Sequence, residues 1–399
     1  MSSSLSPVEP GTRPVPIPDY RVPWRADVLA VAQEVASRGL CARVVRRGDE
    51  WVLVAAVRGV EVPRGCRLFL EAGGVTDRSR LAAGCLERVP STDCYGCAVR
   101  VPCGWVGGVR LLPIPEPAVV PEGAAQRQWW LKVCRQGEQL GLRPKGPSIC
   151  STKGTVTVMG AHIAAPWCGD ARTNSVSSPG VIDVVRCQAG DGAGAVAGVG
   201  LVLFDGAALR AADINRLACA AGISYVAMVN HAADFQGRAT ELLGDVGLLD
   251  EIAEALRALN PAISWVAAGS SFGGVAAARL IARHPDLFQG AVCASTPWGR
   301  LLLPDAAGTP PPERMPWLRA VRGELEWLFP AAAQTAALGR CALRGITTRD
   351  ESFPGGHDVA WWREVLIAAA IVGADVPLPK ALEQLAAKVA NKQAAAQQL

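Results

Sequence analysis

The residues that could do chemistry gather around one serine. Gly269-Ser270-Ser271-Phe272-Gly273-Gly274 carries the G-x-S-x-G spacing, with Ser271 central and Ser270 at the variable position. The motif follows an apolar run at 263–268 and opens an Ala-rich segment at 274–283. Strand, sharp turn and helix in that order hold a nucleophilic hydroxyl at the edge of a sheet. A serine hydroxyl also needs a base, which makes histidine the limiting residue, and the chain has four. His162 lies before the strand–helix region. His231 follows a strand end but precedes the serine, whereas this arrangement takes its base from later in the chain. His284, in Arg283-His284-Pro285-Asp286, is placed to end the elbow helix. His357, in Pro354-Gly355-Gly356-His357-Asp358, sits on a loop whose glycines let the imidazole swing toward the sheet edge, and is the expected base.

The third member of such a triad is an acid between serine and histidine, near a strand end, where it fixes the imidazole tautomer. Glu324 and Glu326 fit equally well by order alone. Asp305 precedes a Pro-rich loop, and Asp350 and Glu351 stand too near His357. The oxyanion hole needs two backbone N–H groups. Phe272, directly after the nucleophile, supplies one; the Leu203-Phe204-Asp205-Gly206-Ala207 stretch supplies the other, through Gly206 or Ala207.

These residues need a scaffold, and the sequence divides accordingly. Residues 1–20 are Ser- and Pro-rich and read as a disordered lead-in without the basic-then-apolar order of a signal peptide. Residues 21–120 read as a small β-rich domain: one amphipathic helix at 24–38, then short strands at 51–57, 67–71, 97–101 and 108–112 separated by turn residues. Residues 121–154 read as a connecting helix containing Trp129 and Trp130, followed by an irregular linker at 141–152. From 155 to 377 strand and helix alternate: strands at 199–204, 225–230, 263–268 and 291–294, helices at 208–221, 242–259 and 274–283. That rhythm gives a mostly parallel sheet with helices on both faces. Residues 378–399 read as a surface helix and tail.

Composition excludes other classes. With 40 basic and 36 acidic side chains, the net charge of +4 leaves no electrostatic footprint for nucleic acid. The most apolar stretches break well short of the roughly 20 residues a membrane span requires. Thirteen scattered cysteines, an odd number, read as reduced, packing thiols of a cytoplasmic protein rather than a disulfide framework. Cys94 and Cys97 have metal-type spacing, but no second tight pair or nearby histidine completes a zinc set, so no metal and no cofactor are expected.

With the residues in hand, a resemblance appears. Ser-Ser-Phe-Gly-Gly followed by Arg-His-Pro-Asp-Leu-Phe, and Gly-Gly-His-Asp-x-x-x-Trp-Arg across 355–363, resemble the enterochelin (ferric-siderophore) esterases. Gly74-Val75-Thr76-Asp77, Leu86-x-Arg88-Val89-Pro90-x-Thr92-Asp93, the stretch 105–113 and Arg127-x-Trp129-Trp130 extend the likeness through the first half, in family order, over about residues 40–375. The resemblance implies a serine hydrolase acting on ester bonds of iron-loaded siderophores. It makes Glu326, in Gly323-x-x-Glu326, the first choice of acid, with Glu324 in reserve. It also implies substrate contacts at Arg238, in Arg-x-x-Glu-Leu, and at Trp298; Arg238 could instead form a structural pair with Glu241. Departures fall at the expected substrate contacts: Ala207, Ala208 and Leu209 stand where polar and aromatic residues are usual, Gly299 replaces a second Trp, and 141–144 and 183–186 also differ.

The expected fold is therefore an α/β-hydrolase domain behind a small β-sandwich-like domain. The expected function is a serine esterase that binds a small-molecule ester, a siderophore or a similar metabolite. Two rivals share the residues: an acyltransferase, which would pass the acyl group to an alcohol or amine, and a non-catalytic binder of such metabolites.

Overall fold

Alternation of apolar residues along the strands decides how the layers form. The computed structural model describes residues 20–78, 80–116, 121, 124–139, 148–151, 154–156, 174–177, 181–187, 198–204, 214–232, 234–304, 313–326, 328–329, 331–357 and 359–397. Two compact units result: Met1–Ile163 with Gly323–Leu328 and Phe353–Asp358, and Ala164–Arg322 with Phe329–Ser352 and Val359–Leu399. The expected lead-in falls almost wholly outside the described residues.

In the first unit, strands β1 (Ala42–Arg47), β2 (Glu50–Arg58), β3 (Cys66–Ala72), β4 (Glu87–Arg88), β5 (Cys94–Val101), β6 (Val106–Pro115), β7 (Ser148–Ser151) and β8 (Gly154–Val156) form two four-stranded sheets. Their orders are β1-β2-β5-β4 and β3-β6-β7-β8, with every pair antiparallel. Successive side chains on a strand face opposite sides. Leu53, Ala55, Cys97 and Val99 thus meet Leu68, Leu70, Val109 and Leu111 between the sheets. Val52, Val54 and Ala56 face the other way, onto Val28, Ala32 and Val35 of the helix Ala26–Ser37. Phe69, Leu112 and Ile114 face outward from the second sheet and are covered by Trp130 and Val133 of the helix Ala124–Gln139.

Two features of this unit differ from the sequence reading. Strand β1, absent from the sequence reading, carries Arg43, Arg46 and Arg47 between apolar residues: Ala42 and Val44 are buried, Arg43 pairs with Glu34 and Arg47 pairs with Asp27 at 2.5 Å. The stretch read as an irregular linker contributes β7, which pairs with β6. Cys94 and Cys97 stand three residues apart on β5 and so point to opposite faces, into separate clusters. Burial pushes the Cys97 thiol up to about 12.

The second unit holds β9 (Asn174–Ser177), β10 (Ile182–Arg186), β11 (Val199–Leu203), β12 (Tyr225–Val229), β13 (Ser264–Ser270), β14 (Phe288–Ala294), β15 (Trp317–Gly323) and β16 (Thr347–Phe353). They make one eight-stranded sheet in the order β16-β15-β14-β13-β11-β12-β10-β9. The pairs from β12 through β11, β13 and β14 to β15 are parallel, while β10 runs antiparallel to β12 and to β9. The helices Phe235–Gly244, Gly247–Leu259 and Phe272–Arg283 contribute to the core on one face. Residues of the opposite parity, such as Leu201, Val226, Val266 and Val292, are buried as well. A parallel strand covered on both faces is apolar along its length, as 265–268 is. The single helix read at 242–259 is two, because Asp245 interrupts the first and its Oδ1 accepts the Leu248 N–H at 3.2 Å to start the second.

One cysteine expectation needs correction. Cys187, just past β10, and Cys219, on the helix Ile214–Ala221, form a disulfide with Cα atoms 5.1 Å apart. Spacing in the sequence could not announce it, because the pair is 32 residues apart and only the fold brings it together. Among the described residues no helix is long and apolar enough to cross a membrane, and no group of three or more His, Cys, Asp and Glu could hold a metal ion.

Candidate active site

Ser271 lies at the turn between β13 and the helix Phe272–Arg283, with φ 53° and ψ −124°. A non-glycine residue with positive φ is uncommon and strained. The conformation is held from both sides: the Ser271 N–H donates to Ala294 O on the neighbouring strand at 2.9 Å, and its C=O accepts from Gly274 N at 3.1 Å. The flanking glycine explains the spacing of the motif. A Cβ on Gly269 would stand 2.5 Å from the Gly273 carbonyl oxygen and 2.9 Å from its Cα, so the turn closes only without side chains there. Ser270 is buried and turned from solvent. Phe272 is the first residue of the helix, where helical geometry gives its N–H no intrahelical acceptor, as an oxyanion donor requires. Gly206 and Ala207, expected to supply the second donor, lie outside the described residues, together with Asp205, Ala208 and Leu209.

His357 and Glu326 come together in the first unit. His357 Nδ1 is 2.7 Å from Glu326 Oε2, and the Glu326 side chain is only 1% exposed against 23% for the imidazole. The second oxygen, Oε1, accepts the Leu328 N–H at 2.8 Å. A carboxylate so bound has one orientation, and it fixes the proton on Nδ1, leaving Nε2 as the basic nitrogen. Glu324, which chain order could not separate from Glu326, is exposed. A turn separates them: after β15 the Glu326 N–H bonds back to Gly323 O at 3.1 Å, which sends the two side chains different ways.

Of the other histidines, His231 sits with Nδ1 2.9 Å from the carbonyl of Ala232, and His162 lies outside the described residues. His284 caps the elbow helix, as its Pro-Asp context suggests, with its N–H donated to Leu280 O at 2.9 Å. Its Nε2 lies 2.9 Å from Asp250 Oδ1. Burial, aided by the cations Arg257 and Arg283, depresses its basicity despite Asp250.

Around Phe272 the structure adds a residue that the sequence did not single out. Arg238 stacks over the Phe272 ring at 5.2 Å, and Phe235, half exposed, packs against the same ring at 5.4 Å. An isolated Phe at the start of a helix carries no sequence signal for such a cluster. Glu241 accepts the Ala232 N–H at 2.7 Å. Trp298 is the other residue expected to contact substrate. It is a core residue, 1% exposed, with its indole N–H donated to Gln334 Oε1 at 2.9 Å, because a large apolar ring with one polar atom is well satisfied inside. A Cβ on the neighbouring Gly299 would meet nothing within 4 Å.

Residues 229–372 match the family model described as "Putative esterase". The chain is 24% identical over 346 residues to the iron(III) salmochelin esterase of Escherichia coli O6:H1, across 75% of this chain and 82% of that protein. Among solved structures, the enterochelin esterase of Shigella flexneri superposes with a TM-score of 0.57 at 17% identity, over 84% of this chain and 96% of that one. The ferric enterobactin esterase of Salmonella typhimurium gives 0.54 at 16% identity, over 87% and 97%. The chain is thus similar to the enterochelin and salmochelin esterases along most of its length, matches an esterase family model over residues 229–372, and shares the fold of the solved enterochelin esterases.

Proposed function

We propose that this protein is a serine esterase that cleaves the ester bonds of a siderophore, or of a siderophore-like metabolite, through an acyl-enzyme on Ser271. The observation that carries this reading is the imidazole of His357 held at 2.7 Å by the buried, doubly bonded carboxylate of Glu326. The strained backbone of Ser271 in its elbow supports it. Ser271 Oγ attacks the ester carbonyl while His357 Nε2 takes its proton. Negative charge on the carbonyl oxygen is met by the N–H of Phe272 and by that of Gly206 or Ala207. His357 returns the proton to the departing alkoxide, so an alcohol leaves and an acyl-serine remains. Water, losing its proton to His357, attacks the acyl carbon; the C–O bond to Ser271 breaks as His357 returns the proton to Ser271 Oγ, and the acid departs. Glu326 keeps Nδ1–H in place and stabilises the imidazolium in both halves. Any iron enters as part of the substrate.

Three features favour a siderophore-like ester: the likeness to a salmochelin esterase along most of that protein's length, the Arg238 guanidinium beside Phe272, and the aromatic surface of Phe235. Arg238 suits an anionic substrate. The altered positions Ala207, Ala208, Leu209 and Gly299 favour an ester other than a tri-catecholate lactone. Nine described cysteines are free thiols against one bonded pair, and a cytoplasmic location is part of the proposal. A panel of esters tests the substrate: ferric tri-catecholate lactone, hydroxamate and mixed-type siderophore esters, and simple acyl esters. A kcat/KM highest for a siderophore ester other than the tri-catecholate is the expected result. The highest value on a simple acyl ester would refute the siderophore reading, and the highest on the tri-catecholate would show that the altered positions are neutral.

A further inference from the structure

The segments that carry Glu326 and His357 lie within the first unit, seated on its β-sheets. Leu325, between Glu324 and Glu326, packs against the core shared by Trp105, Val75 and Val109. Its N–H donates to Gly355 O at 2.9 Å, and the Glu324 N–H to Phe353 O at 2.9 Å, which ties the acid-bearing turn to the base-bearing loop. The Gly73-Gly74 turn presses on both. Gly74 has φ +79°, and a Cβ there would stand 2.6 Å from Leu325 Cβ and 3.1 Å from Gly356 Cα. A Cβ on Gly356, next to His357, would stand 2.5 Å from the Gly74 nitrogen. The turn is itself held: the Trp105 indole N–H donates to Gly73 O at 3.1 Å, and the Gly73 N–H to Gly108 O at 3.0 Å. The loop is held a second time where the Val106 N–H donates to Pro354 O at 3.0 Å.

We propose that the β-rich unit is a working part of the catalytic apparatus, with the Gly73-Gly74 turn and the Leu325 anchor acting as positioning residues that set the His357–Glu326 hydrogen bond. This rests on the esterase reading above. A spacer or recognition domain would have no need for backbone-to-backbone contact at the residue next to the base. An intruding methyl at Gly74, or a shortened anchor at 325, displaces the turn that carries Glu326 and lengthens a bond that catalysis needs short.

The test uses the full chain in four forms: Gly74→Ala, Leu325→Ala, Leu325→Met and Trp105→Phe. Trp105→Phe removes the N–H that holds Gly73 while keeping an aromatic ring in the buried site, Leu325→Met keeps the volume of the anchor, and thermal unfolding shows which variants fold. Each is measured for kcat and KM, for the pH profile of kcat/KM, for thermal unfolding, and for the downfield His357 Nδ1–H resonance in protein labelled with 15N-histidine. Gly74→Ala and Leu325→Ala are expected to lower kcat at least tenfold with KM within twofold, and to weaken or move the Nδ1–H resonance. Trp105→Phe is expected to lower kcat about threefold with the same signature, and Leu325→Met to recover to within threefold of the parent. If Trp105→Phe and every other folded variant keep kcat within twofold and leave the resonance unmoved, the proposal is wrong. The esterase reading is checked separately, by fluorophosphonate labelling of the parent at Ser271. Labelled parent with unaffected variants overturns the positioning role alone; unlabelled parent overturns the esterase reading beneath it.

Discussion

Glu326 meets His357 with one oxygen and the Leu328 backbone with the other, at 2.7 and 2.8 Å. The carboxylate is thereby fixed in orientation as well as in charge. Glu326→Gln keeps the shape but replaces an acceptor with a mixed amide that can favour the wrong imidazole tautomer. A fall in kcat of about 10²–10⁴ is expected, by analogy with the acid of other triads. Glu324→Gln should stay within about twofold of the parent. Equal losses in both variants would show that the acid was assigned to the wrong side of the turn.

Arg238 and Phe235 share the Phe272 ring, and the proposed function assigns both to substrate binding. Arg238→Ala should raise KM more than it lowers kcat on an anionic ester, and Phe235→Ala should raise KM for aromatic esters by a few fold, the scale of one lost ring contact of about 0.5–1.5 kcal/mol. Steady-state kinetics on charged and neutral ester pairs checks both. A loss confined to kcat would move these residues from substrate binding to the chemical step.

Stability of the second unit depends on a buried ion pair. Arg319 on β15 is wholly buried, with Nε 2.8 Å from Glu351 Oε2, and Glu351 also bonds Arg349 at 3.1 Å and the Leu378 N–H at 2.8 Å. Removing one partner strands a charge in the interior, which costs about 3–5 kcal/mol. Glu351→Gln should therefore lower the urea midpoint sharply, and Glu351→Gln with Arg319→Met should recover part of the loss. An unchanged midpoint in the single variant would mean that the pair contributes nothing.

The pH dependence follows from His284. Burial holds its folded pKa below the ordinary value, so the unfolded chain takes the proton first as pH falls through about 6.5. The stabilisation is complete above that pH and is lost on acidification. The carboxyl of Asp250, held low chiefly by its hydrogen bonds to Arg283, adds a second loss as pH falls through about 4. Melting temperature should decline between about pH 7.5 and 5.5 in the parent and decline less in His284→Gln. Equal slopes in the two proteins would show that His284 is not the group responsible.

What could be read in the sequence was local chemistry. The Ser271 elbow, the Gly-Gly-His loop and the strand–helix alternation announce themselves because neighbours in the chain create them. Glu326 could not be told from Glu324, since the two share strand parity and only the turn after Gly323 separates them. Strand β1 was hidden by Arg43 and Arg47, whose charges are met by residues of the preceding helix. The burial of Trp298 was not legible either, because a sequence does not say which ring is inside. The Phe235–Phe272–Arg238 cluster and the Cys187–Cys219 bond exist only once distant segments meet.

The central claim, that Ser271 is a nucleophile activated by His357, is tested most directly by labelling with a fluorophosphonate and mapping the modified peptide. The parent should be labelled stoichiometrically at Ser271 and lose ester hydrolysis in step. Ser271→Ala should take no label, and its hydrolysis should fall by on the order of 10⁶. His357→Gln should label far more slowly. Near-parental hydrolysis by folded Ser271→Ala, or a label that maps to another residue, would contradict the claim.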